Sequence, residues 1–139
     1  MKVSDVMTKD PACCTPETEL QEVARLMVEH DCGEIPVVDN KRALRPVGVV
    51  TDRDIVVRCV AEGRNPLEFE AGDIMSSPVV TVTPDMTVKE VGDIMEEHQL
   101  RRVPVVDEAG TISGIVAQAD IALHAPAPEV AEVVREVSR

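Results

Sequence analysis

The chain has 139 residues, enough for one compact domain or two small interlocked halves, and 44 % of them are hydrophobic, so a core can form. Lys and Arg number 14 against 26 Asp and Glu, a formal net charge of −12. That balance disfavours nucleic acid as a partner, because phosphate neutralisation dominates such affinity, and with Phe69 as the only aromatic residue it leaves no base-stacking platform.

In chain order, Val3, Val6 and Met7 fall on one side of a short helical turn that Asp10-Pro11 breaks. Ala12 to Thr15 reads as a short strand. Thr15 is placed to cap a helix that has Pro16 at its first position and Glu17 and Glu19 in its first turn. Its apolar residues Leu20, Val23, Ala24, Met27 and Val28 recur at helical spacing. Ile35-Pro36-Val37-Val38-Asp39 predicts a strand with its proline near the start. After a polar loop, Asn40 to Arg45, Val47 to Val50 reads as a buried strand running into a helix from Asp52 to about Gly63.

The junction at Thr51-Asp52-Arg53-Asp54 admits two readings. Thr51 is a good N-cap and Asp54 stands where a capping box puts its acid, a local device worth about 1 kcal/mol. The same strand-to-helix turn also presents free N–H groups that suit a phosphate, while a carboxylate one turn in can accept hydrogen bonds from two ribose hydroxyls.

The pattern then starts again. With a shift of 68, Asp5-Val6-Met7-Thr8 falls on Asp73-Ile74-Met75-Ser76, Thr15-Pro16 on Thr83-Pro84, and Pro36 to Asp39 on Pro104 to Asp107. Counted over residues 5–39, 13 of 35 positions are identical. The shift then drops to 66, so that Gly48-Val49-Val50 meets Gly114-Ile115-Val116 and Asp54-Ile55 meets Asp120-Ile121. Each unit reads strand, helix, strand, strand, helix, a mixed α+β design in which two such units pack sheet against sheet around a pseudo-two-fold axis. The expected boundaries are 1–64 and 65–124, followed by a helical tail, 125–139, with an apolar stripe at Val130, Val133, Val134 and Val137. The apolar helix faces left over predict a homodimer.

This duplicated pattern of Thr-Pro with an amphipathic helix, apolar-Pro-Val-Val-Asp and Gly-apolar-apolar-Thr-x-x-Asp resembles a tandem pair of cystathionine-β-synthase (CBS) domains, a Bateman module. The resemblance spans residues 1–124. It implies a sensor that binds an adenosyl ligand (AMP, ADP, ATP, NAD or S-adenosylmethionine) between repeats and signals by conformational change, with the nucleotide as a regulatory ligand and no required cofactor. It assigns phosphate to Thr51 and ribose to Asp54. It places Ala12, Ile35 and Pro36 against adenine and turns Arg101 and Arg102 toward the phosphates. A weaker second cleft would use Asp120, Val80, Val103 and Pro104. There the Thr position is Ala117, and the counterparts of Arg101 and Arg102 are Gly33 and Glu34. The alternative is a ligand-free structural or protein-interaction dimer in which Thr51 and Asp54 only cap a helix.

Nothing in the pattern points to catalysis: no nucleophile–base pair, no Walker A loop and no dinucleotide glycine fingerprint is present. An enzyme is not expected. Cys13, Cys14, Cys32 and Cys59 lack metal-ligand spacing and read as small buried hydrophobes, with a redox or metal role for Cys13, Cys14 and Cys32 as the alternative. His30 and His98 are repeat-equivalent and end equivalent helices, where a cation favours the helix dipole. No run of 18 apolar residues and no signal-like start appears, so a soluble, cytoplasmic protein with no membrane partner is expected.

Overall fold

The computed structural model describes residues 1–124, and the tail expected at 125–139 lies outside them. A 3-10 turn at Val3–Asp5 leads to β1 (Thr8–Lys9), α1 (Leu20–Glu29), β2 (Glu34–Val38), β3 (Pro46–Thr51) and α2 (Asp52–Ile55), which continues as a π-wound turn, Val56–Val60. A second 3-10 turn, Pro66–Glu68, precedes α3 (Ala71–Ile74), α4 (Val88–His98), β4 (Arg102–Val106), β5 (Ile112–Ala117) and α5 (Gln118–His124). Helices and small antiparallel sheets alternate, so the fold is α+β and duplicated.

Two compact units form: Ala12–Val79, and Met1–Pro11 together with the described residues from Val80 on. This division crosses the repeat boundary expected at 64/65, because each repeat's opening segment packs on the other repeat's hairpin. In one unit β1 adds to the β4–β5 hairpin, Thr8 opposite Ile115 and Lys9 opposite Gly114. In the other, Ser76 bridges Val49 beside the β2–β3 hairpin, with the two amides donating at 3.1 and 2.8 Å. The glycine of each Gly-apolar-apolar motif permits that approach. A Cβ on Gly48 would stand 2.8 Å from Met75 Sδ and 2.9 Å from the Ser76 carbonyl oxygen. On Gly114 it would stand 2.7 Å from Met7 Sδ and 2.9 Å from the Thr8 oxygen.

The two cores repeat residue by residue. One contains Val3, Val6, Val82, Val88, Val91, Met95, Val103, Val105 and Val116. The other holds their equivalents Ala71, Ile74, Cys14, Leu20, Val23, Met27, Ile35, Val37 and Val50. Ile121 completes the first core and Cys59 the second. Each Val, Leu or Ile fully buried in this way contributes about 1.5–3 kcal/mol from its transfer out of water.

Three elements differ from expectation. The strand at Ala12 to Thr15 shrinks to a one-residue parallel bridge: the Cys14 amide donates to the Pro36 carbonyl at 3.0 Å and the Val38 amide to Cys14 at 2.8 Å. Pro36 thus turns its carbonyl, and the side lacking an N–H, away from β3, which is how a proline sits inside this strand. Helix α1 begins at Leu20 rather than Pro16. The Leu20 amide donates to Phe69 O at 2.9 Å, and Pro16 O accepts from Gly72 at 2.8 Å, so the first turn's partners come from the connector between the repeats, Asn65 to Gly72. The helix after Asp52 winds as a π turn, the Ala61 amide reaching back to Val56 at 2.8 Å.

Candidate functional site

The Ala12–Val79 unit gathers its polar groups where β3 ends. Thr51 is the N-cap of α2 and makes the full capping box with Asp54. The Asp54 amide donates to Thr51 Oγ1 at 3.0 Å, and the Thr51 amide donates to Asp54 Oδ2 at 3.0 Å. The Asp54 side chain retains 15 % of its exposure, and its other oxygen, Oδ1, faces Ser76 Oγ at 3.5 Å and Arg58 Nε at 3.9 Å. A carboxylate oxygen has room for more than one donor, so the box and a ligand hydroxyl are compatible on this group.

Arg58 and Ser76 were not singled out from the sequence. Arg58 carried a signal, standing four residues after Asp54 on a helix, where opposite charges meet. Ser76 carried a weaker one, as the repeat partner of Thr8. Of the residues expected to flank adenine, Ala12 is partly buried against the unit's core, Ile35 is 1 % exposed within it, and Pro36 is buried. Ile35 therefore serves the core with its side chain.

The other unit carries the counterparts. The Ala117 amide donates to Asp120 Oδ2 at 2.8 Å, but alanine returns no hydroxyl, so only half the box forms. Arg102 heads β4 and lies opposite Ala117 across the hairpin. Arg101, exposed, lends its carbonyl to the Gln118 amide at 2.8 Å. Neither guanidinium has an ion pair among the described residues. Val80 is half-buried, Val103 fully buried and Pro104 buried with its carbonyl taken by the Val82 amide at 3.0 Å. Thr51 and Asp54 thus belong to one unit, and Arg101, Arg102 and Asp120 to the other.

Burial pushes the Cys13 thiol up to about 11, and burial, then the neighbouring Cys13, pushes Cys14 to about 12. Both are thiols rather than thiolates at neutral pH. Among the described residues no three His, Cys, Asp or Glu side chains converge as a metal would need, and no helix is long and apolar enough to cross a membrane.

The family model for the CBS domain matches residues 3–60 and 71–127. Hypoxic response protein 1 of Mycobacterium tuberculosis is 35 % identical over 133 residues, 96 % of this chain and 91 % of that protein. A crystal structure of Hypoxic Response Protein I with two coordinated zinc ions superposes with a TM-score of 0.81 at 36 % identity, covering 91 % of this chain and 100 % of that one. The uncharacterized protein MK0525 of Methanopyrus kandleri is 40 % identical over 121 residues, and the match spans 87 % of this chain but 61 % of that protein's length. The CBS domain pair of protein MJ0100, solved in complex with 5′-methylthioadenosine and S-adenosyl-L-methionine, gives a TM-score of 0.76 at 28 % identity, covering 88 % of this chain and 94 % of that one. With both halves matched in this way, the chain belongs to the CBS-domain family and carries two CBS domains in tandem.

Proposed function

We propose that this chain is a regulatory sensor, not an enzyme, that binds an adenosyl ligand through Thr51 and Asp54. The observation that carries the reading is Asp54 itself: a carboxylate fixed on Oδ2 by the Thr51 amide, whose Oδ1, beside Ser76 and Arg58, has room for a further donor, at the end of a strand, on a motif that the family assigns to ribose. Adenosyl binding by the MJ0100 domain pair supports the ligand class. Arg101 and Arg102, with no ion pair among the described residues, are the groups assigned to phosphate, which favours a phosphorylated ligand such as AMP, ADP, ATP or NAD over a bare adenosine. The Asp120 site, lacking the hydroxyl, is the weaker of the two. Ligand binding then shifts a population that a partner reads. In this reading the adenosyl nucleotide is a regulatory ligand and no cofactor is required.

We place the protein in the cytoplasm as a homodimer. Exposed apolar side chains on the Ala12–Val79 unit support that assembly: Val28 is 83 % exposed and Val60 58 %. Light scattering at tens of micromolar is expected to give twice the chain mass. A second reading, a ligand-free scaffold, draws on the capping box, which already gives Thr51 and Asp54 a structural role. Thermal-shift screening of adenosyl compounds followed by calorimetry separates the two, since a ligand binding only the folded state raises its melting temperature. The scaffold reading expects no shift with any of them.

A further inference from the structure

We infer that Arg58 is a positioning residue for a ligand held at Asp54; the inference rests on the adenosyl reading above and adds a residue to it. Arg58 Nη1 donates to the carbonyl oxygens of Ile74 and Met75 at 2.7 and 3.0 Å, and Nη2 donates to Ser76 Oγ at 3.2 Å. Ile74 ends α3, so these are carbonyls that a helix end leaves without helical partners, and a cation is favoured there.

Arginine only donates, so Ser76 Oγ accepts from Nη2 and has its own proton left for Asp54 Oδ1, 3.5 Å away. The carboxylate is thereby held from two sides, by the Thr51 amide on Oδ2 and by Ser76 and Arg58 on Oδ1. The direct Arg58–Asp54 ion pair, at 3.9 Å and with Arg58 45 % exposed, is a minor part of this, because solvent screens it. The rigid guanidinium fork is the larger part: it ties three acceptors on one segment, and a lysine has no such geometry. In the other unit Thr8 takes the place of Ser76, and among the described residues it makes no bond to Asp120. The two sites therefore differ in how firmly the acid is held as well as in the Thr51 hydroxyl.

Calorimetry with AMP and with adenosine on wild type, Arg58→Ala, Ser76→Ala and the double variant tests this. Each single change is expected to weaken both compounds by the same factor, about tenfold, within the coupling range for groups sharing one network. The double variant is expected to lose less than the product of the two. Hydrogen exchange at the Val49 and Ser76 amides, which bond each other's carbonyls, is expected to quicken in Arg58→Ala. Unchanged affinity in both single variants overturns the inference alone. A loss in Arg58→Ala confined to AMP also overturns it, because Arg58 would then contact phosphate directly. Failure of the wild type to bind either compound overturns the adenosyl reading and the inference with it.

Discussion

Replacing Asp54 by alanine separates a ligand site from a helix cap, because the two roles use different atoms. The backbone amide of Asp54 still donates to Thr51 Oγ1 in the variant, so half of the capping box survives. Lost are the Thr51 amide's acceptor at 3.0 Å and the contact to Ser76 at 3.5 Å. Loss of one cap interaction costs about 1 kcal/mol of folding. In a chain of this size that lowers the melting temperature by about 3–5 °C. For binding, a hydrogen-bonded charged acceptor is worth about 1.5–3 kcal/mol. That corresponds to about a 10- to 150-fold rise in the Kd for AMP. Calorimetry reads the second quantity and differential scanning the first. An unchanged Kd beside a modest loss of melting temperature would refute the ligand role and leave only the cap.

Asp120→Ala is expected to leave AMP affinity unchanged, and Arg102→Ala to weaken AMP far more than adenosine, both read by the same titration. Gly48→Ala and Gly114→Ala should each lower the urea midpoint by an amount equal to about 1–3 kcal/mol, because each new methyl meets a backbone oxygen at 2.9 Å that cannot swing aside. The cysteines set a pH window. Their folded pKa values, about 11 and 12, lie above the ordinary 9.0, so the protonated thiols favour the fold. That contribution is complete below pH 9 and is lost as pH rises through 11 to 12, which a pH series of thermal melts will show. At pH 7 Cys13 and Cys14 should alkylate slowly with iodoacetamide in the native protein, and fast in urea.

The duplication was legible because it is written in core residues: the same apolar positions recur 68 or 66 apart, and they are the residues both cores use. The Thr51–Asp54 box was legible because it is local, four residues obeying one capping rule. What the pattern could not show is the exchange of opening segments. Nothing within Asp5 to Thr8 says which hairpin it will join, since Gly48 and Gly114 clear the same space on both hairpins. The late start of α1 is also set at a distance, since Leu20 bonds Phe69 across the connector. Val28 fits the helical stripe but stays 83 % exposed, because periodicity marks a face without saying how much of it the core covers. Arg58 and Ser76 escaped for a related reason, their partners being carbonyls, a hydroxyl and a carboxylate 16 to 22 residues distant.

The most direct test is an AMP titration followed by backbone amide resonances. With the ligand held at Asp54, saturable shifts are expected at Thr51, Asp54 and Ser76, and Ala117 and Asp120 are expected to move little. Shifts confined to Ala117 and Asp120, or none at saturating AMP, ADP, ATP, NAD and S-adenosylmethionine, would contradict a ligand site at Asp54.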